Sequence, residues 1–307
     1  MNILVTGGAG FIGINLVNDL LNTTDFSVTV VDRSDLNIER LENSISSGRD
    51  RLTVVNTDYD DYDIEDYFDS VIHLAAVPRV GFSIENPSYT TDENISKLVR
   101  FLERGKCKFG KFIFASSSSV YGDVQIMTPE THPLKPKSPY ALQKKTGEEF
   151  MEMFSKLYGL STVSLRFFTV FGPNQYVDDA YATVIAKWID HIKKDEPLVL
   201  EGDGSQVRDF TYVDNVVRGI KIFINSDIKY CGDRFNLGNS SQTSLNELID
   251  WFETKINFKI NKVEPRIGDV FRTHADISKM RNLGYIPIVD VYEGLEKTWK
   301  WNMKGNK

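Results

Sequence analysis

The chain has 307 residues, 41% of them hydrophobic and 26% charged, and a formal net charge of −7. That length allows one large α/β domain or two smaller ones, and the composition lies well away from the disordered and membrane-spanning classes. The negative balance argues against a broad surface for nucleic acid or anionic lipid but leaves room for a few arginines around a small phosphorylated ligand.

The first element is the apolar run Ile3 to Thr6, with no basic stretch or cleavage site of a secretion signal before it, and no later run approaches the length of a bilayer span. A cytoplasmic location is therefore expected. Further strands are expected at Val28 to Asp32, Leu52 to Asn56, Ser70 to Leu74, Lys111 to Ser116 and Thr162 to Arg166, several of them apolar on successive residues. Helical periodicity runs from Phe11 to Asn22, Pro87 to Arg104 and Pro139 to Tyr158, the last preceded by Ser138 as a helix cap with proline at the first helical position. Strands alternating with helices in this way predict an α/β fold with a doubly wound parallel, Rossmann-type sheet. Beyond Arg166 the spacing loosens into loops such as Phe171 to Gln175 and Glu201 to Ser205. The expected division is 1–170 for the sheet domain and 171–307 for a smaller C-terminal α/β lobe, some of whose segments return to the sheet. Cys107 and Cys231 lack metal-ligand spacing, so both read as ordinary thiols and no metal site is expected.

Ligands of open parallel sheets bind beyond the carboxyl ends of the strands, where this chain's unusual residues gather. Gly7-Gly8-Ala9-Gly10-Phe11-Ile12-Gly13 follows the first strand and opens a helix. Its fixed glycines Gly7, Gly10 and Gly13 allow close approach to a pyrophosphate, which the free amides of a helix N-terminus attract. A tight structural turn is the other reading of such a triplet. Asp32 ends the second strand about 20 residues on, where a carboxylate accepts both hydroxyls of an adenosine ribose and repels a 2′-phosphate, so NAD is expected over NADP. Arg33 beside it softens that preference. Thr57-Asp58-Tyr59 ends the third strand and offers Asp58 to an adenine amino group, with a solvated loop acid as the alternative. Leu74, Ala75 and Ala76 end the fourth with residues small enough to let backbone approach the middle of a dinucleotide.

Tyr140 and Lys144 lie four apart, one turn on the same face of the third predicted helix. A phenol with a pKa of ~10 is a poor base at neutral pH, but two nearby positive charges, an ammonium and an oxidised nicotinamide, favour the phenolate. A chance surface pair is the competing reading, and the hydroxyl cluster Ser116-Ser117-Ser118-Ser119 at the end of the fifth strand weighs against it.

Together these motifs resemble the extended short-chain dehydrogenases that act on nucleotide sugars, above all the uridine diphosphate (UDP) hexose 4-epimerases, and the resemblance runs from Gly7 to Glu293-Gly294-Leu295. It implies Tyr140 as catalytic base, Lys144 as its electrostatic partner and nicotinamide-ribose ligand, and Ser117, four residues before Tyr121, as the third catalytic hydroxyl. Asn94 matches the family's helix asparagine at the cofactor side of the active site. The run Gly204 to Asp214 looks like the family's Gly-x-x-x-Arg-Asp-Phe-x-Tyr-Val-Asp segment and Pro265 to Asp269 like its later arginine motif, so Arg208 and Arg266 are expected to bracket the diphosphate. Asp209 and Asp269 are expected to orient backbone or arginine. Homodimerisation through the helices near 87–104 and 139–158 is also implied.

The subfamily signals are mixed. Dehydratases and glucuronate decarboxylases of the family place an acid where this chain has Ser118 and Ser119. Thr169 is similar to glucuronate 4-epimerases, but Tyr176 stands where some of those carry an arginine. Gln175 to Ile185 resembles the N-acetylhexosamine epimerases, and Thr273 occupies the gate position, where a small residue admits an acetamido group. Arg79 is in register with neither subgroup. The expected activity is NAD-dependent C4 epimerisation of a UDP-hexose, UDP-N-acetylglucosamine being preferred, with the glucose, galactose and uronate pairs, a nucleotide-sugar reductase and a non-catalytic NAD-binding regulator as alternatives.

Overall fold

A computed structural model of the protein describes residues 1–177, 182–264 and 270–304. Six strands, β1 (Asn2–Thr6), β2 (Ser27–Asp32), β3 (Leu52–Asn56), β4 (Ser70–His73), β5 (Lys111–Ser117) and β6 (Ser161–Phe167), are joined by a seventh, Cys231–Leu237, in one sheet. Its order is Cys231–Leu237, β6, β5, β4, β1, β2, β3, and every pairing is parallel. The expected strands fall within a residue or two of those observed. The seventh went unread because Cys-Gly-Asp-Arg-Phe-Asn-Leu is interrupted by polar residues, and they are tolerated there only because distant side chains satisfy them.

Both faces of the sheet are covered, which is why its strands are apolar on successive residues. Ile3, Val5, Val30 and Ile72 pack with Ile14, Leu16 and Val17 of α1 (Phe11–Thr23) on one face. Leu4, Val71, Phe112 and Phe114 pack on the other with Leu98, Phe101 and Leu102 of the helix at Lys97–Gly105 and with Met151 of the helix at Pro139–Tyr158. Each such side chain, fully withdrawn from water, contributes about 1.5–3 kcal/mol.

The remaining helices before the sixth strand are α2 (Asp35–Ser44), α3 (Val80–Glu85), α4 (Pro87–Thr91), α5 (Lys97–Gly105) and α6 (Pro139–Tyr158). α6 has the bounds its sequence predicts, with Ser138 accepting from the Ala141 amide and Gly159 ending it in the left-handed region. The segment expected as one helix from Pro87 is instead α4, a π turn at Asp92–Ser96, and α5. Apolar spacing cannot report such a shift of hydrogen-bond register. Beyond β6, three short ladders build the outer lobe: Val170–Phe171 with Thr211–Tyr212, Val207–Arg208 with Thr243–Ser244, and Leu198–Glu201 with Ile260–Val263.

Candidate active site

A cavity of about 370 Å³ opens at the carboxyl ends of β1 to β5, and the glycine loop, Asp32, Asp58, Tyr140 and Lys144 all line it. Gly7 turns into the left-handed region at φ +67°, and a Cβ there would lie 2.6 Å from the Ala75 amide nitrogen. A Cβ on Gly13 would lie 2.5 Å from the Gly8 carbonyl oxygen. Gly10 enters α1 with no side chain capping the first amides, so the helix N-terminus is left to the cavity. Phe11, Ile12, Leu74, Ala75 and Ala76 complete this part of the wall.

Asp32 accepts from the Ala9 amide at 3.1 Å and the Ser34 amide at 3.1 Å, fastening the glycine loop to the end of β2. Burial pushes its carboxyl above the ordinary range against the pull of those amides. Asp58 and Tyr59 also line the cavity, but their polar groups are engaged. The Tyr59 hydroxyl donates to the Glu93 carbonyl at 2.8 Å, and burial raises its phenol. Asp58 accepts from Arg33 at 2.8 Å and from Lys97 at 2.7 Å, so it is an ion-paired acid in the cavity wall.

At the opposite end Tyr140 and Lys144 are both buried, with the Lys144 Nζ 5.8 Å from the centre of the Tyr140 ring. The Tyr140 amide donates to the Ser83 Oγ at 3.1 Å, which ties the first turn of α6 to α3. Lys144 donates from Nζ to the Ala115 carbonyl at 2.7 Å, and burial drags it down to about 7 while the Glu148 carboxylate opposes the fall. Ser117 lines the cavity at the end of β5, and its Oγ accepts from the Ser119 amide at 3.2 Å. Ser118 and Ser119 sit in the short 3-10 turn that follows; the Ser119 Oγ is buried without a hydrogen-bond partner among the described residues.

Asn94 is largely buried. Its amide accepts from the Val77 N–H at 2.8 Å and donates to the Val77 carbonyl at 3.1 Å and to Gln143 Oε1 at 2.8 Å. It therefore stands behind the wall, tying the loop after β4 to α6, and is not among the residues that line the cavity.

On the outer lobe, Arg208 donates to the Phe271 carbonyl at 2.8 Å, while Thr273 accepts at Oγ1 from the Asp209 amide at 3.0 Å. Asp209 is fully buried and orients backbone, accepting from Asn239, Ser240 and Ala275. Thr169 takes the Thr211 amide on its carbonyl at 2.8 Å. None of Thr169, Arg208 and Thr273 lines the cavity of the glycine loop, and Arg266 and Asp269 lie outside the described residues.

Sequence reading overlooked Ser83, Gln143 and the buried pair of Glu148 and Arg166. Glu148 was findable, since Tyr140, Lys144 and Glu148 repeat every four residues on one stripe of a helix that is otherwise apolar inward. The glycine cradle that a Cβ would fill, the uncapped helix N-terminus and the carboxylate at the end of β2 together fit a dinucleotide.

Among solved structures, the chain is similar to the UDP-N-acetylglucosamine 4-epimerase of Methanobrevibacter ruminantium M1 in complex with UDP-N-acetylmuramic acid, with 34% identity, a TM-score of 0.90, and 99% of this chain and 98% of that one covered. It is likewise similar to the UDP-glucuronic acid 4-epimerase of Bacillus cereus in complex with UDP-glucuronic acid and NAD, at 33% identity and TM-score 0.90 over 99% of both chains. The UDP-glucose 4-epimerase of Thermotoga maritima with UDP-glucose matches at 32% identity and TM-score 0.88, again over 99% of both. Residues 3–238 match the model of the NAD dependent epimerase/dehydratase family, and with a glycine cradle, a carboxylate at the end of β2 and a tyrosine-lysine pair around one cavity, the chain belongs to that family.

Proposed function

We propose that the protein interconverts the C4 epimers of a UDP-hexose, with UDP-N-acetylglucosamine and UDP-N-acetylgalactosamine as its preferred pair. The observation that carries this reading is the burial of Tyr140 beside Lys144 in the wall of the same cavity that holds the glycine cradle. Tyr140 takes the proton of the C4 hydroxyl as general base. Lys144, in its ammonium form, favours the phenolate and binds the nicotinamide ribose, and Ser117 hydrogen-bonds the same substrate oxygen. NAD, when bound, would supply a reversible hydride acceptor for C4, so that the sugar can pass through a 4-keto form and regain hydride on its other face. Gly7, Gly10, Gly13 and Asp32 would hold its diphosphate and adenosine ribose. Tyr140 then gives its proton back to the new C4 oxygen, and net redox change is zero.

Arg208 and, from the family resemblance, Arg266 grip the diphosphate, with Asp269 orienting the latter. Serine at 118 and 119 leaves the site without the acid that elimination of water requires, which supports epimerisation over dehydration. The small side chain of Thr273 leaves space for an acetamido group and supports the N-acetylhexosamine pair. Thr169 favours a second reading, UDP-glucuronate, against which stands Tyr176 in place of an arginine. The same reading has the protein cytoplasmic and homodimeric through α4 to α6, on which Tyr89, Leu142 and Leu157 are exposed.

Purified protein incubated with UDP-N-acetylglucosamine, UDP-glucose and UDP-glucuronate, with the C4 epimers separated, tests the proposal. The expected result is epimer formation without added NADH and the highest kcat/KM for the N-acetylated sugar. Stoichiometric NADH consumption, or higher kcat/KM for another sugar, overturns it.

A further inference from the structure

Four charged side chains that the chemistry at C4 does not use meet at the adenosine end of the cavity. Arg33 lies 2.8 Å from Asp58 and 2.9 Å from Glu93, and Lys97 lies 2.7 Å from Asp58 and 2.6 Å from Glu93. Each cation thus touches both anions, and the four come from three segments far apart in sequence: the end of β2, the end of β3, and the π turn with the start of α5, which supplies both Glu93 and Lys97. Three of the side chains are largely buried, at 13% exposure for Asp58, 9% for Glu93 and 15% for Lys97, whereas Arg33 keeps 47%. Arg33, Asp58 and Glu93 line the cavity, and Lys97 backs them.

Burial by itself would raise Asp58 and lower Lys97, but their mutual hydrogen bond and charges, joined by Arg33 and Glu93, reverse both shifts. Arg33, Asp58 and Lys97 accordingly remain ionised at neutral pH. A surface ion pair contributes little to stability, and nothing in folding requires this set to face a ligand cavity. Its members do, however, bind together the strand ends that carry Asp32, Asp58 and Tyr59. The ion pairs thereby join the ends of β2 and β3 to the π turn and α5 beside the cavity that Arg33, Asp58 and Glu93 line. The arginine that follows the ribose carboxylate is also already spent on two carboxylates, which removes the one cation that softened the expected preference against a 2′-phosphate.

We infer that Arg33, Asp58, Glu93 and Lys97 form a clasp across the adenosine end of the cavity that slows release of NAD between turnovers. A reaction with no net redox change, as proposed above, gains from a cofactor that stays. The inference rests on that reading only for this purpose; retention itself is measured without any sugar.

The experiment loads the protein with NAD, desalts it, and quantifies the NAD remaining on the chain at successive times. Arg33→Ala and Glu93→Gln are expected to lose NAD about tenfold faster than the parent, since contacts at a ligand's exit act mainly on the off-rate. Arg33→Lys, which keeps the charge, is expected to stay nearer the parent. Glu93→Gln opens two of the pairs while keeping the side chain's size and the backbone bond to Tyr59, so it decides the matter even where Arg33→Ala fails to fold. Retention of NAD for as long as the parent in Glu93→Gln overturns the clasp, whatever the sugar assay returns.

Discussion

On the proposed reading, Tyr140 and Lys144 set up acid–base chemistry within one turn of helix. Tyr140→Phe keeps the ring in its buried seat and removes only the hydroxyl, so epimerisation should fall by ~10²–10⁴-fold while the variant still retains NAD after desalting. Loss of activity within a few-fold of the parent would remove Tyr140 from the mechanism. Lys144 carries a measurable cost to the fold. Burial takes it from ~10.5 in the unfolded chain to about 7 in the ligand-free protein. Between those values the unfolded chain holds a proton that the folded chain has released, so stability rises with pH across that window, and below it the fold bears the whole penalty of a buried ammonium. Lys144→Met should therefore be inactive yet more stable than the ligand-free parent, by ~2–4 kcal/mol at pH 6, and the difference should shrink as pH approaches 10. Urea unfolding at several pH values checks it; a parent more stable than the variant at pH 6 contradicts it.

The elements were legible in the sequence to the extent that their causes are local. β1 to β6 are short β-branched and apolar runs buried on both faces, and α6 carries its own serine cap, proline and terminal glycine. The glycine loop is local too. At Gly7, a left-handed φ and a Cβ 2.6 Å from the Ala75 nitrogen mean that Gly7→Ala must push the loop off the end of β4. The expected outcome is a loss of ~1–3 kcal/mol in unfolding free energy and markedly weaker NAD binding by calorimetry. The π turn at Asp92–Ser96 was not legible, because it depends on Asn94 reaching across to Val77 and Gln143. Neither partner is near it in sequence.

At the scale of the molecule, the buried pair of Glu148 and Arg166 joins α6 to the sheet and to segments beyond it. Glu148 and Arg166, 0% and 1% exposed, are bidentate at 2.8 and 2.7 Å. Ser116 also donates to Glu148, and Arg166 donates to the Tyr121 hydroxyl at 2.7 Å. Tyr121 in turn donates to Asn236 of the seventh strand, whose amide reaches the Thr128 and Asp276 carbonyls. Arg166→Met leaves the Glu148 carboxylate buried without its main partner and should cost ~3–5 kcal/mol. Adding Glu148→Gln to it should recover part of that loss, because no buried charge then remains in the pair. Denaturant unfolding of both variants and the parent checks the order; a double variant less stable than Arg166→Met would contradict it.

The sequence by itself determined the alternation of strands and helices, the glycine cradle, the carboxylate at the end of β2 and the tyrosine-lysine pair, since each is written in residues a few positions apart and obeys a local period or turn. Only the tertiary structure decided that Asp58 is ion-paired, that Asn94 braces a loop instead of facing the cavity, that Asp209 gathers backbone amides, and that a polar segment at Cys231–Leu237 completes the sheet. Polar groups withdrawn from water must find partners, and in these four cases the partners come from segments remote in the chain.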